Sequence, residues 1–240
     1  MQNAFGKYLS LCEKEDIIIT KNGKNVAKLI SYRKPEEYLL NETKGDYNVK
    51  RRISFAEYED IVNTSDQRYE LIKGEIYLLT SPSFRHQVVL REIFRNLVAC
   101  FHNHTCQVLS APFDIRLKGY AEKFSEDPNV VQPDLVVICD EENVTEDGRY
   151  EGIPTLIVEI LSSSTRGKDM ISKLDLYVRS GIREYWIIDP IGGQFLQYAF
   201  SIEREPEDVH VFEKTGTVES VFFPGLVLDL ATIFPDQKQG

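Results

Sequence analysis

Apolar and polar positions along this chain recur in two rhythms, and the switches between them mark its elements. FGKYLSLCEKE sets Phe5, Leu9 and Cys12 at helical spacing, and IIITKNGKNVAKLI follows as two strand-like runs around Asn22-Gly23, a dipeptide favoured in tight hairpins. Residues 1–32 therefore predict a small helix-plus-hairpin unit. RKPEEYLLNETKGDYNVK, residues 33–50, is polar, lacks sustained periodicity and reads as a linker. From residue 51 onward the pattern is that of one larger domain, 51–240. SFAEYEDIVN carries Ser54 and Glu57 in capping-box spacing ahead of a short helix. RYELIKGEIYLLT gives two strands around Lys73-Gly74, and HQVVLREIFRNLVACF a helix with Val89, Ile93, Leu97 and Phe101 on one face.

The apolar runs then lengthen. QVLSAPFDIRL, QPDLVVICD and PTLIVEILS predict three strands, the last two continuous enough in Val, Ile and Leu to be central in a sheet. KDMISKLDLYVRSG predicts a helix closed by Gly181, REYWIID another buried strand, and the stretch from Gln194 to LATIF shorter strands. Strands and helices alternating in this way point to one mixed sheet flanked by helices.

Within those runs one residue stands out. Glu159 interrupts LIVEILSSS, and a carboxylate buried without a partner costs several kcal/mol. QPDLVVICD and PTLIVEILS are joined by EENVTEDGRYEGI, an acidic loop with Asp147-Gly148 as its turn signal and no helical pattern for a parallel crossover. Antiparallel pairing about residues 146 and 147 sets Asp134 opposite Glu159. Neighbouring strands lie about 4.8 Å apart, close enough for two carboxylates to share one divalent ion, Mg²⁺ or Mn²⁺ by the preference of hard ions for oxygen. The plainer alternative has Asp134 capping a turn and Glu159 paired with an arginine.

Composition narrows the picture without deciding it. With 42% apolar and 28% charged residues the 240-residue chain is of ordinary globular type, and no run approaches the roughly eighteen apolar residues of a membrane span. No secretory leader pattern is visible, so the expected place is the cytoplasm, where Cys12, Cys100, Cys106 and Cys139 should be reduced thiols. A net charge of −10 excludes non-specific coating of nucleic acid and is compatible with a metal-dependent nuclease. CFHNHTC, residues 100–106, carries His102 and His104 between two cysteines; its spacing suits neither a zinc site nor a His-Asn-His nuclease, and it reads as a helix end.

Two resemblances add to this reading. FGKYL with IIITKNGKNVAKLI resembles the N-terminal part of the Phd/YefM antitoxins, which bind operator DNA as dimers; a docking or vestigial segment is the simpler option. Gln132-Pro133-Asp134 before a strand, PTLIVEILSSSTR, KLDLYVRSGIREYWIIDP and YELIKGEIYLLTSPSFRHQ together resemble the Uma-two family of endonucleases, of the PD-(D/E)XK restriction-endonuclease-like fold. That likeness implies an α/β restriction-endonuclease-like core, a mixed sheet flanked by helices with the small N-terminal appendage, and hydrolysis of DNA phosphodiesters. It implies Asp134 and Glu159 as metal ligands, the Ile160 carbonyl as a further one, and Glu70 as an additional acidic residue. The motif lysine expected two residues after Glu159 is replaced by Leu161; Lys173 in the next helix is the substitute, with Lys168 in reserve. On helical spacing Lys173 shares a face with Asp169 and Tyr177, so an ordinary i,i+4 ion pair is its competing role. His86 and Gln87 at a helix start could line a cleft, and Arg166 with Lys168 could meet a neighbouring phosphate. The likeness leaves a homodimer open, and the rival to an active enzyme is a catalytically inactive nuclease fold serving as a DNA-binding or antitoxin-like regulator.

Overall fold

The structure is a computed structural model, and it describes residues 17–21, 24–29, 52–162, 168–204 and 206–234. The chain divides into two compact units, 1–50 and 51–240. In the first, β1 (Ile17–Lys21) and β2 (Lys24–Leu29) pair antiparallel, with Lys21 opposite Lys24. The helix anticipated around Phe5, the Asn22-Gly23 turn and the linker 33–50 lie outside the described residues.

The second unit opens with α1 (Phe55–Asn63), whose N-cap Ser54 and Glu57 close a reciprocal capping box. β3 (Tyr69–Ile72) and β4 (Glu75–Leu78) follow, joined by Lys73 and Gly74 at φ of 52° and 78°; two left-handed residues in succession match the twist of the flanking strands. The long helix α2 (Phe84–Phe101) buries His86, Val89, Ile93, Leu97 and Phe101 along one stripe. Next come β5 (Gln107–Ser110), β6 (Ile115–Leu117), β7 (Asn129–Val131), β8 (Leu135–Ile138) and β9 (Leu156–Ile160). A π-helical turn at Lys168–Lys173 runs into α3 (Leu174–Ser180), which ends on the left-handed Gly181. β10 (Glu184–Asp189), β11 (Gln194–Phe200), β12 (Pro206–Phe212), β13 (Thr217–Glu219), β14 (Val227–Asp229) and the short α4 (Leu230–Ile233) complete it.

Where one sheet was expected, the described residues of this unit form two larger sheets and a small β13–β14 pair. The six-stranded sheet has the order β12-β11-β10-β9-β8-β5, with β9 and β10 parallel and the other neighbours antiparallel; the second sheet is β4-β3-β7-β6. QVLSAPFDIRL, anticipated as one strand, is split between them: β5 belongs to the first sheet and β6 to the second. Pro112, which has no N–H for a ladder, lies between the two halves. The stretch around Asp134 is similarly divided, with β7 before it in the second sheet and β8 after it in the first.

β9 and β10 are buried at every position, as their continuous apolar runs require for strands covered on both faces. Leu156, Val158, Ile160, Trp186 and Ile188 face a core built with α2, β14 and α4. Ile157, Leu161, Tyr185 and Ile187 face the opposite core, built with α3, β6 and β7. Period-two alternation along β9 therefore assigns Glu159 to the α3 side.

The thiol expectation needs correction. Cys106 and Cys139 form a disulfide, because the β5–β8 register of Gln107 opposite Ile138 brings the two cysteines face to face one step further on. Spacing in sequence carries no trace of that non-local pairing. Cys100 is an exposed free thiol, and Cys12 lies outside the described residues.

Candidate active site

β8 and β9 pair antiparallel with Leu135 opposite Val158, so Asp134, one step before β8, stands opposite Glu159. Both carboxylates line one cleft of about 300 Å³ together with His86, Gln132, Lys168 and Lys173. β9 supplies Glu159 and Ile160, the π-turn supplies both lysines, and the first turn of α2 supplies His86.

Each carboxylate is held by one oxygen. Asp134 Oδ2 accepts the Ile160 backbone N–H at 2.8 Å and lies 3.1 Å from His86 Nε2. Glu159 Oε1 accepts from Lys173 Nζ at 2.6 Å and from the Tyr177 hydroxyl at 2.9 Å. Among the described residues, Asp134 Oδ1 and Glu159 Oε2 accept no hydrogen bond.

Glu70, on β3, is fully buried and gathers the lysines. Its Oε1 lies 2.8 Å from Lys173 Nζ and accepts the Gln132 N–H at 2.9 Å, while Oε2 accepts from Lys168 Nζ at 2.5 Å. Lys173 thus touches Glu159 and Glu70 closely and Asp169 at 3.7 Å. The i,i+4 contact with Asp169 read from the helical spacing exists, as the longest of the three.

The electrostatics follow from this crowding. Burial works against the charge of Glu70, but Lys173 and Lys168 outweigh it and hold that carboxyl below its ordinary range. Burial pushes Glu159 up to about 8, against the pull of Lys173 and with added repulsion from Asp169, Asp134 and Glu70. Lys173 is itself raised well above its usual value: burial opposes its charge, and Glu159, Glu70 and Asp169 overcome burial. Tyr177 is driven up by burial and by Glu159, so it remains a phenol that donates. Four carboxylates, Glu70, Asp134, Glu159 and Asp169, meet two ammonium groups here, an arrangement that favours further positive charge.

Leu161 stands at the position where the resemblance led one to expect a lysine. Its side chain is buried in the core beneath α3, and its N–H bonds the Ile188 carbonyl. A lysine rooted at that position would have to extend through packed apolar groups. The charge arrives from the covering layer instead, where the π-turn sets Lys173 over Glu159.

No group of three or more His, Cys, Asp or Glu among the described residues is gathered to hold a metal. The donors of the cleft still suit a hard divalent ion, since Mg²⁺ keeps several waters and needs only one or two carboxylates, and each carboxylate has one oxygen free. CFHNHTC forms no such site: Cys106 is in the disulfide, and His104 Nδ1 accepts the Cys106 N–H at 3.2 Å.

A family model described as "Putative restriction endonuclease", Uma2, matches residues 55–231. The chain belongs to the Uma2 family. Glu70, Asp134, Glu159 and Lys173 all fall inside the matched Uma2 region, and the β1–β2 hairpin falls outside it. An uncharacterised protein of Synechocystis is 27% identical over 154 residues, covering 63% of this chain and 79% of that protein. The crystal structure of a putative nuclease belonging to DUF820 from Anabaena variabilis superposes with a TM-score of 0.60 at 18% identity, over 76% of this chain and 97% of that one. That likeness is one of fold, the mixed restriction-endonuclease-like α/β architecture.

Sequence reasoning had placed Asp134 and Glu159 opposite each other and named Lys173, Lys168 and Glu70; the structure brings all five together. Arg166 lies outside the described residues. The bonds from His86 and from the Ile160 N–H to Asp134 left no signal in the sequence, because they join residues 48 and 26 positions apart. Tyr177 had a signal, its i,i+4 spacing from Lys173, although its partner proved to be Glu159. No helix among the described residues is long and apolar enough to cross a membrane.

Proposed function

We propose that this Uma2 protein is a metal-dependent endonuclease that hydrolyses phosphodiester bonds of DNA. The observation that carries the reading is the pair Asp134 and Glu159, facing each other on adjacent strands, each with one oxygen that accepts no hydrogen bond among the described residues, beside a buried lysine. Asp134, Glu159 and the Ile160 carbonyl would hold Mg²⁺ or Mn²⁺. The bound ion would lower the pKa of a water and polarise the phosphate.

The chain's own residues do the rest. Tyr177 and Lys173 fix the Glu159 carboxylate, while Lys173 and Lys168 set positive charge where the phosphate oxygens gain negative charge. Glu70 holds both lysines at the cleft through direct ion pairs. With a net charge of −10 the affinity for DNA should be modest and salt-sensitive, and a homodimer would add a second cleft.

Supercoiled plasmid incubated with Mg²⁺ or Mn²⁺ tests this directly. The wild type should nick or linearise it, and Asp134→Ala or Glu159→Gln should lose about 10²- to 10³-fold in rate, the range for removing one preorganised charge-stabilising group. Cleavage by the wild type and Asp134→Ala alike would overturn the proposal. A second reading, an inactive nuclease fold that binds DNA as a regulator with the antitoxin-like segment, draws on Leu161 at the motif-lysine position; retarded DNA mobility with no cutting in any metal would favour it.

A further inference from the structure

His86 belongs to no part of the motif just described, and its surroundings are unusual for a residue at a helix start. It is the third residue of α2, and its backbone N–H is anchored to the N-cap Ser83 hydroxyl at 3.3 Å. The residue is 6% exposed and lines the cleft, and its ring carries Nε2 to 3.1 Å from Asp134 Oδ2. An ionised carboxylate can only accept, so the proton of that bond is assigned to Nε2. Nδ1 is buried and has no partner among the described residues.

The same carboxylate oxygen takes the Ile160 N–H at 2.8 Å. Two donors from different elements, one a strand amide and one a helix side chain, therefore grip Oδ2 and fix the rotation of the carboxylate, leaving Oδ1 turned free. Glu159 is gripped in parallel fashion, through Oε1 by Lys173 and Tyr177. The bland reading of His86 is a packed residue in the first turn. It accounts for the burial and leaves the bond to Asp134 without a purpose.

We infer that His86 is a positioning residue for Asp134: its Nε2–H holds Oδ2 so that Oδ1 is presented to a divalent cation. This rests on the metal reading of the cleft. Groups that orient a ligand from behind are worth about 10- to 100-fold in metal affinity.

Mn²⁺ titration calorimetry on the full chain tests it, with thermal unfolding alongside. His86→Ala should weaken Mn²⁺ about 10- to 100-fold, and His86→Gln, whose Nε2 can reproduce the donor, should recover affinity to within about threefold of the wild type. In the metal-free wild type, nitrogen-15 chemical shifts of the imidazole should report the Nε2–H tautomer. A purely structural role would lower the melting temperature of both variants and leave their Mn²⁺ affinity alike. Unchanged affinity in His86→Ala while the wild type binds would overturn the inference alone. An Nδ1–H tautomer would do the same, even if His86→Ala failed to fold. Absence of Mn²⁺ binding by the wild type would overturn the metal reading and this inference with it.

Discussion

Glu159 and Glu184 sit on neighbouring strands of one sheet, both buried, on opposite faces, and they are supplied with partners in opposite ways. Glu184 accepts through both oxygens and from neutral groups only: Oε1 from the Trp186 indole at 2.7 Å, the Gln197 amide at 2.7 Å and the Val221 N–H, and Oε2 from the Ser220 hydroxyl at 2.6 Å and the Phe222 N–H. It ties β10 to β11 and to the segment after β13. Glu159 is bonded through one oxygen, shares a lysine with Glu70, and faces a cleft. Burial of a carboxylate is thus no mark of function by itself. What sets Glu159 apart is an oxygen without a donor among the described residues, beside surplus negative charge.

Three substitutions would break or sharpen that contrast. Glu184→Ala should have the largest effect on folding, because it strands several buried donors at once; a loss of about 3–5 kcal/mol in urea unfolding is expected, whereas at about pH 4.5, below the onset of the Glu159 linkage, Glu159→Gln should shift stability by less than about 1 kcal/mol. Similar costs at both sites would erase the distinction. Lys173→Met should come next, at about 2–4 kcal/mol, somewhat reduced because Glu70 keeps Lys168 as a partner. It should also abolish plasmid cleavage, so a stable and active Lys173→Met protein would remove Lys173 from the site.

The smallest effect per step is in pH. Glu159 moves from an ordinary 4.5 to about 8 in the folded chain. Between those values the folded protein holds a proton that the unfolded chain has released, so raising pH favours unfolding. Metal-free stability should therefore be complete below about pH 4.5 as far as this group is concerned and decline toward pH 8, by at most about 1.4 kcal/mol per pH unit for one proton. Glu70, held low, acts in the reverse sense: its contribution is present above the ordinary carboxylate range and is lost on acidification. Melting curves of Glu159→Gln should lose the alkaline decline and keep the acid one. An unaltered decline in that variant would assign it elsewhere.

Much of this was legible beforehand because it was local. The capping box at Ser54 and Glu57, the turn at Lys73-Gly74, the stripe along α2 and the buried runs of β9 and β10 rest on nearest neighbours and on periodicity. The opposition of Asp134 and Glu159 could be counted along one antiparallel connection. Less local features escaped. Nothing in QVLSAPFDIRL says that its halves join different sheets, and nothing in the positions of Cys106 and Cys139 says that β5 and β8 lie side by side. The role of Glu184 is not readable from REYWIID, since its five donors come from β10, β11 and the segment after β13.

The chain's sequence by itself determined which residues could carry chemistry: two acids flanking a hairpin, a third on an earlier strand, lysines in the following helix, and an apolar residue where a lysine would be expected. Tertiary structure alone decided how they are shared. Packing α3 over β9 gave Lys173 to both Glu159 and Glu70, and docking the first turn of α2 against the start of β8 gave His86 to Asp134. Hydrogen bonds act over about 3 Å and buried charges over only slightly more, so their partners are set by which layers meet in space, a fact that no spacing along the chain encodes.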